Sequence, residues 1–597
     1  MSNQESPSPQ LGTSSPMLSY FCVYNPSLSS SEENTKDQIL YYTSKKAEPI
    51  DVKMKHVGLA QALVNFTFTF PTSQPTQNVH SQKHRMVFLQ PEPGFWMHMC
   101  IELGILRKQI KDSKGKEKLV TEYLDSQLNN KALEAVLKIG YEQFKLLNGT
   151  FSSILNGQEG EPNRQRARAL THAIEELFSE WIWKWDFDRL DIMCFNAVFN
   201  GVPVQAVQRS NYLRTNELDE YIRKRFDQLV SHVFVLDGSD GSLVYRSPSL
   251  LITDVRSLRK YAIRRVEKQV NAEKRKTSID LAFAKKDSSK VSGLKSITKT
   301  LSNTHFLSYF SSGSKSTESV ASTTPTSNSQ DSTQNSLPLP SNTPTASSSI
   351  QSSLETEINQ GMFLTGLVES TAIGMNGEER LVTKADLVRV YLSSTEEGQE
   401  NQGDDKLTEY YLIIYKHKSN LIWNLLLPVS AESEDLISDP LFYRDLQKYM
   451  TEKNLEQLTT TLMEDIETMQ EKSFHLGKHY KCFFYDNTTL NMKSTMTSSL
   501  KKPSVQITND MLLQLLEVKE DFEKAPSVTC EVFTRSTSNY WIAGHRVYHT
   551  ALSSKYNNEQ DYTEMYLIAA KKDTSLAEVE ETLDKMASNL SEIMHIE

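Results

Sequence analysis

Three times along the chain an aromatic-rich apolar run closes on Asn or Asp: SYFCVYNP from Ser19, HVFVLDG from His232 and KCFFYDN from Lys481. Recurrence of this kind in 597 residues, too many for one hydrophobic core, predicts repeated small domains, each opened by such a strand. A later strand recurs as well, EYYLIIYK from Glu409 and EMYLIAAK from Glu564, and both lead toward a helix. Strands and helices alternate in mixed order, so the expected fold class is α/β, with small, mainly antiparallel sheets flanked by helices. The units expected are residues 17–215, 216–472 and 473–597, after a Ser- and Pro-rich tail at 1–16 expected to be disordered.

Helices are legible from apolar spacing. The last one opens at Ser575-Leu-Ala-Glu578, a capping-box pattern, and sets Leu576, Val579, Leu583, Met586, Leu590 and Ile593 on one face. Comparable stripes run through Leu133, Val136, Leu137, Gly140, Phe144 and Leu147, through Leu170, Ile174, Leu177 and Trp181, and through Leu455, Leu458, Leu462, Ile466 and Met469. The longest apolar stretch, 411–429, is broken by Lys416, His417 and Lys418 and predicts two strands around a turn rather than a membrane span. Residues 311–358 are dominated by Ser, Thr, Pro, Asn and Gln and cannot bury enough apolar surface to offset chain entropy. They are expected to be a disordered insertion, about 270–358 with its basic and amphipathic flank, within the second unit.

Candidate chemistry is sparse. The nucleotide-binding, zinc-protease and hydrolase signatures are missing, so no cofactor is expected. His475, His479 and Cys482 have a ligand-like spacing without a fourth ligand, and Cys482 belongs to an apolar strand, so no metal is assigned. Cys22, Cys100, Cys194, Cys482 and Cys530 all read as strand residues with free thiols, and Trp181, Trp183 and Trp185 read as structural. No signal or transit peptide is legible, and the protein is expected to remain in the cytosol.

The formal charge of −10 excludes nucleic acid as the main partner, yet Lys260 to Lys290 carries ten basic residues against four acidic ones. Arg264, Arg265, Lys274, Arg275 and Lys276 belong to this run and suit an anionic surface. Directly after it, in VSGLKSITKTL, helical spacing groups Val291, Leu294, Ile297 and Leu301 within an arc of about 120°, with Lys295, Lys299 and hydroxyl residues opposite. A modest apolar face against a weakly charged Ser/Thr face is the pattern of a helix that senses lipid packing.

The segments SYFCVYNPSL from Ser19, ILYYTS from Ile39, KHVGLAQALVNFTFTF from Lys55, FLQPEPGFWMHMCIE from Phe88 and YEQFKLLNGTF from Tyr141 follow one another in an order that closely resembles the calcium-caffeine-zinc sensitivity family of vacuolar fusion proteins. FLTG at Phe363, KKPSVQIT at Lys501 and SNYWIAG at Ser538 extend the resemblance through the later units. The resemblance implies three longin-type domains and an obligate heterodimer with the monensin-sensitivity longin protein. It further implies a guanine-nucleotide exchange factor for the Rab GTPase of late endosomes and vacuoles, recruited to phosphoinositide-bearing and autophagic membranes. The competing expectation is a longin scaffold that binds a GTPase or vesicle coat without stimulating exchange. On the helix expected from Lys55 to about Phe68, Leu59, Leu63 and Phe66 are expected to form the buried stripe. His56, Gln61 and Asn65 then point toward a partner or the GTPase, with Gly58 permitting close backbone approach.

Overall fold

The structure is a computed structural model and describes residues 10–29, 36–69, 77–111, 117–157, 164–185, 187, 192–286, 361–373, 379–393, 407–418, 420–453, 455–473, 479–496, 505–524, 529–536, 538–548, 561–571 and 573–594. Residues 311–358 and the helix expected over Val291–Leu301 therefore lie outside the described residues.

The first unit contains β1 (Gln10–Ser14), β2 (Met17–Tyr24), β3 (Ile39–Ser44), α1 (Ile50–Phe68), β4 (Asn78–His80), β5 (His84–Glu92), β6 (Phe95–Glu102), β7 (Gly104–Lys111), β8 (Glu117–Leu124), α2 (Asn130–Asn148), α3 (Phe151–Asn156) and α4 (Arg164–Trp181). Its main sheet has the order β3-β2-β6-β5-β4, while β1, β7 and β8 form a separate three-stranded sheet. Side chains alternate across β6: Met97, Met99 and Ile101 enter the core shared with α2 and α4, and Trp96 and Cys100 face α1. Gly140 is required where α2 crosses α4, because a Cβ there would overlap the Trp181 ring. The N-terminus of α3 is capped by Glu92, whose carboxylate accepts the amides of Phe151 and Ser152.

Two short elements follow, α5 (Ile192–Phe199) and β9 (Val202–Pro203), then α6 (Arg209–Arg225), β10 (His232–Asp237), β11 (Leu243–Arg246) and the 35-residue α7 (Ile252–Lys286). The second unit resumes with β12 (Gly361–Phe363), β13 (Gly366–Ile373), β14 (Glu379–Asp386), β15 (Val388–Ser393), β16 (Leu407–His417), β17 (Leu421–Pro428), α8 (Ala431–Ser438), α9 (Pro440–Glu452) and α10 (Leu455–Ser473). Its sheet runs β11-β10-β17-β16, with β12 and β15 both pairing the far side of β16. One edge position is thus filled by two short strands, and the hairpin β13–β14 is the excursion between them. The third unit comprises β18 (Tyr480–Asp486), β19 (Asn491–Ser494), α11 (Asn509–Lys524), β20 (Cys530–Arg535), β21 (Trp541–Tyr548), β22 (Tyr562–Ala569) and α12 (Leu576–Met594).

All three sheets place their strands in the spatial sequence second, first, fifth, fourth, third, with a helix between the second and third strands. The recurring aromatic runs are β2, β10 and β18, each the first strand of its sheet. The 411–429 stretch forms most of β16 and β17. Cys194 departs from expectation: it lies in α5, a helix, because the following Phe195 and Phe199 need helical spacing to enter the third unit's core together. Leu576 also departs, being 46% exposed at the first turn of α12, whereas Val579, Leu583 and Met586 are buried. Ser575 does cap that helix through the Glu578 amide, but the Glu578 carboxylate turns outward to Lys571 instead of completing the box.

The connection from the first to the second unit stitches in the third. Phe195 packs edge-on against Phe483 and Phe199 edge-on against Tyr566, and β9 adds to β19 as a parallel edge strand. The units also meet at a half-buried polar joint. Glu142 of α2 accepts Arg256 of α7 at 2.9 Å and the Asn200 amide at 2.8 Å, and it lies 3.5 Å from the Lys260 ammonium. Burial alone would raise the Glu142 carboxyl, yet Lys260 and Arg256 hold it below its usual value. Burial lowers Lys260 to about 8 despite the opposing pull of Glu142. Removing the carboxylate leaves the buried Lys260 and the half-buried Arg256 without their anion, so Glu142→Ala is expected to cost about 2 kcal/mol. Lys260→Met in that background should restore a large part of the loss, as read by urea denaturation and by hydrogen exchange of α2 and α7.

Candidate functional site

The candidate site is the outer face of α1, which the sheet aromatics determine. On the α1 side the sheet presents Tyr20, Tyr24, Phe88 and Trp96, all large, so the helix approaches with the small residues Val57, Ala60 and Val64. This overturns two of the three members of the expected buried stripe, Leu59 and Phe66, while Leu63 packs against this core. Leu59 and Phe66 are 46% and 61% exposed, Leu63 is half-buried, and the helix begins at Ile50 rather than Lys55. Lys55, Leu59, Ala62 and Phe66 recur at helical spacing along one exposed strip, so the apolar surface that sequence assigned to the core faces outward instead.

The residues expected to reach a partner are placed unequally. His56 turns back onto the domain: its ring stacks on Tyr20 with centroids 4.3 Å apart, and its Nδ1 lies 2.7 Å from the Tyr42 hydroxyl. Tyr42 in turn donates to Glu48 at 2.9 Å, so His56 donates to the Tyr42 oxygen. Burial holds the imidazole below its ordinary pKa against the pull of Glu48. Gln61 is half-buried and donates to Gln38 Oε1 at 2.8 Å. Asn65 is exposed, and an added Cβ at Gly58 would meet open space, which leaves the backbone approachable. Of the four, Gly58 and Asn65 belong to the outer strip.

Beneath the helix, His98 is fully buried. Its Nδ1 donates to the Val87 carbonyl at 3.3 Å, and its Nε2 accepts the Tyr20 hydroxyl at 3.0 Å. Burial lowers the imidazole to about 3. Trp183, read from sequence as structural, is 41% exposed and donates to Thr43 Oγ1 on β3, while Trp181 is buried. The opposite solvent exposures of two residues in one Trp-rich run carry no signal in the sequence.

The basic run divides. Arg264 donates to Gln143 of α2, and Arg265 pairs with Asp386 and donates to the Leu364 carbonyl, so both serve contacts within the protein rather than an open cationic surface. Lys260 is committed to the Glu142 joint. Lys274, Arg275 and Lys276 lie on the C-terminal half of α7, where the backbone alone is described. Val291, Leu294, Lys295, Ile297, Lys299 and Leu301 lie outside the described residues. The same holds for His475; Cys482 is buried in β18, its thiol raised to about 12 by burial and hydrogen-bonded to Thr495. No group of His, Cys, Asp or Glu among the described residues is arranged to hold a metal ion, and no described helix is long and apolar enough to cross a membrane.

Residues 18–149 match the first longin domain of INTU, CCZ1 and HPS4. The vacuolar fusion protein CCZ1 homolog of Nematostella vectensis is 31% identical over 248 residues, 42% of this chain and 50% of that protein. The homolog of Xenopus tropicalis is 30% identical over 220 residues, 37% of this chain and 43% of the relative. That of Xenopus laevis is 32% identical over 199 residues, 33% and 39% of the two chains. The matches thus span half or less of these relatives' length. The first unit is thus similar to the first longin domain of this group, and the exposed strip lies on its first helix.

A free chain protonates His near 6.5, whereas His98 resists protonation down to about 3, so the unfolded state binds the extra proton between these values. Stability is therefore expected to fall as pH drops from about 6.5, by on the order of 2 kcal/mol at pH 5. His98→Gln, which retains a donor and an acceptor, should flatten that part of the profile in urea denaturation followed at several pH values.

Proposed function

We propose that this chain is one subunit of a heterodimeric guanine-nucleotide exchange factor for the Rab GTPase of late endosomes and vacuoles, with the monensin-sensitivity longin protein as the second subunit. The observation that carries the reading is the outer strip of α1. A longin domain of the INTU, CCZ1 and HPS4 group leaves Leu59 and Phe66 exposed beside an open Gly58. Two exposed apolar side chains one heptad apart on a single helix suit a second helix laid alongside, and the glycine next to Leu59 lets the backbones approach.

Exchange on this reading needs no acid, base or nucleophile. A surface that binds the nucleotide-free GTPase better than the nucleotide-bound form must, by reciprocity, weaken nucleotide affinity. The heterodimer supplies such a surface by holding a switch loop away from its nucleotide. Endosome maturation, vacuole fusion and autophagosome–vacuole fusion are the processes this activity serves. The vacuolar fusion role for which these relatives are named supports this assignment.

Membrane recruitment falls to the segment that begins on the C-terminal half of α7 and continues through Leu301. Lys274, Arg275, Lys276, Lys295 and Lys299 attract anionic and phosphoinositide headgroups, and Val291, Leu294, Ile297 and Leu301 insert between acyl chains. Arg264 and Arg265 drop out of this set because they brace α7 inside the protein.

Release of a fluorescent GDP analogue from the Rab protein is expected to accelerate only when both subunits are present. Binding of the Rab protein without release would favour the scaffold alternative, and turnover by this chain alone would refute the heterodimer. Phe66→Asp should lower both subunit association and exchange by about tenfold or more while leaving circular dichroism unchanged. Ile297→Asp with Leu301→Asp should abolish liposome flotation and membrane-stimulated exchange but leave exchange in solution intact.

A further inference from the structure

The second unit carries a cleft of about 530 Å³ between the C-terminal turn of α6 and helix α9, lined entirely by residues of that unit. A volume of this size is typical of a site for a small ligand or a few side chains. The cleft opens on the helical layer opposite α7, so it is separate both from the α1 strip and from the basic run.

Its floor is apolar. Phe226 and Phe442 meet edge to face with centroids 5.0 Å apart, and Leu229 and Leu436 flank them half-buried. At the rim Leu441 is 65% exposed, the most exposed large apolar side chain among the described residues. Leu441, Arg444 and Lys448 recur at three and four residues and so share one side of α9.

The charges around this floor are not equivalent. Arg225 and Asp445 satisfy each other at 2.6 Å across the cleft, and Asp439 spends its carboxylate on the Leu441 amide as the cap of α9. Arg444 makes no ion pair among the described residues, and Lys448 has only Glu452, at 3.9 Å. What remains is an apolar floor with a cationic wall along α9. The lining carries equal numbers of cations and anions, Arg225, Arg444 and Lys448 against Asp227, Asp439 and Asp445, and it is concave. The recess between α6 and α9 does not suit a flat bilayer, and the cations left unspent lie on one wall only.

We infer that this cleft docks a short acidic segment of a partner protein, with one apolar side chain seated on Phe226 and Phe442 and neighbouring carboxylates on Arg444 and Lys448. Docking covers Leu441 and gives Arg444 the anion it lacks among the described residues. The arrangement discriminates by charge, because a basic segment would meet Arg444 and Lys448 while only Asp227 remains unspent at the α6 turn.

The test uses the full chain and a fluorescein-labelled peptide of about twelve residues with central Leu residues flanked by Glu, titrated by anisotropy. Saturation below about 1 mM is expected, weakened roughly tenfold or more by Leu441→Asp and separately by Arg444→Glu with Lys448→Glu. The same peptide with Lys in place of Glu should bind roughly tenfold less well to the unaltered chain. All altered positions are at the surface, and unchanged circular dichroism verifies their folding. Absence of saturation, equal binding by the variants or equal binding of the Lys peptide overturns the inference. So does binding roughly tenfold tighter to a chain lacking residues 350–360, which would assign the cleft to an acidic segment of the chain itself.

Discussion

The relation among the three units depends on how α2 is held. It is a first-unit helix with two loyalties: Leu133, Leu137 and Phe144 complete the first core, while Leu146 enters the core of the second. Between these apolar commitments sits Glu142, facing Arg256 and Lys260 from α7 and Asn200 from the connection. Apolar packing alone tolerates sliding, whereas a half-buried carboxylate with three designated partners does not, because any displacement leaves a charge unmatched. The joint therefore fixes an orientation as well as an association. It also accounts for part of the basic run, whose first members are consumed in holding α7 against α2.

The third unit is attached by another principle. Its sheet accepts β9 at the edge beside β19, and its core accepts Phe195 and Phe199. Close by, Glu564 is fully buried beneath Arg546 and Lys519 and also accepts the Tyr566 hydroxyl, so the strand that contacts Phe195 and Phe199 is anchored from below. Strand addition and aromatic insertion together turn what reads as a linker into part of another unit's interior. The exposed strip of α1 lies on the far side of the first sheet from α2.

Much of this was legible beforehand, and the failures have physical causes. Each sheet opens with a run that announces itself, since a first strand placed centrally and buried on both faces must be apolar without alternation. The hairpin β16–β17 and the buried stripes of α2 and α4 followed from spacing for the same reason. The inward face of α1 did not, because side-chain size on the helix is set by what the sheet presents. Periodicity reports that Leu59, Leu63 and Phe66 share a side; it does not report that Tyr20, Tyr24, Phe88 and Trp96 leave room only for Val57, Ala60 and Val64. The inward turn of His56, Arg264 and Arg265 was hidden likewise, since each is satisfied by residues distant in sequence. Glu142, Asn200 and the lining of the α6–α9 cleft gave no local motif at all.

Strand β9 is made long before the strand it joins. On the ribosome Val202 precedes Asn491 by roughly 290 residues, which at about 5–20 residues per second leaves the segment waiting on the order of 15 to 60 seconds. Through that interval Phe195 and Phe199 have no finished core to enter, so the nascent polypeptide carries an aromatic pair that only completion of the C-terminal unit can shelter. Biogenesis of this architecture is accordingly a last-piece process: a chain truncated within its final hundred or so residues loses a unit and also leaves the connection between the other two without the core that shelters it.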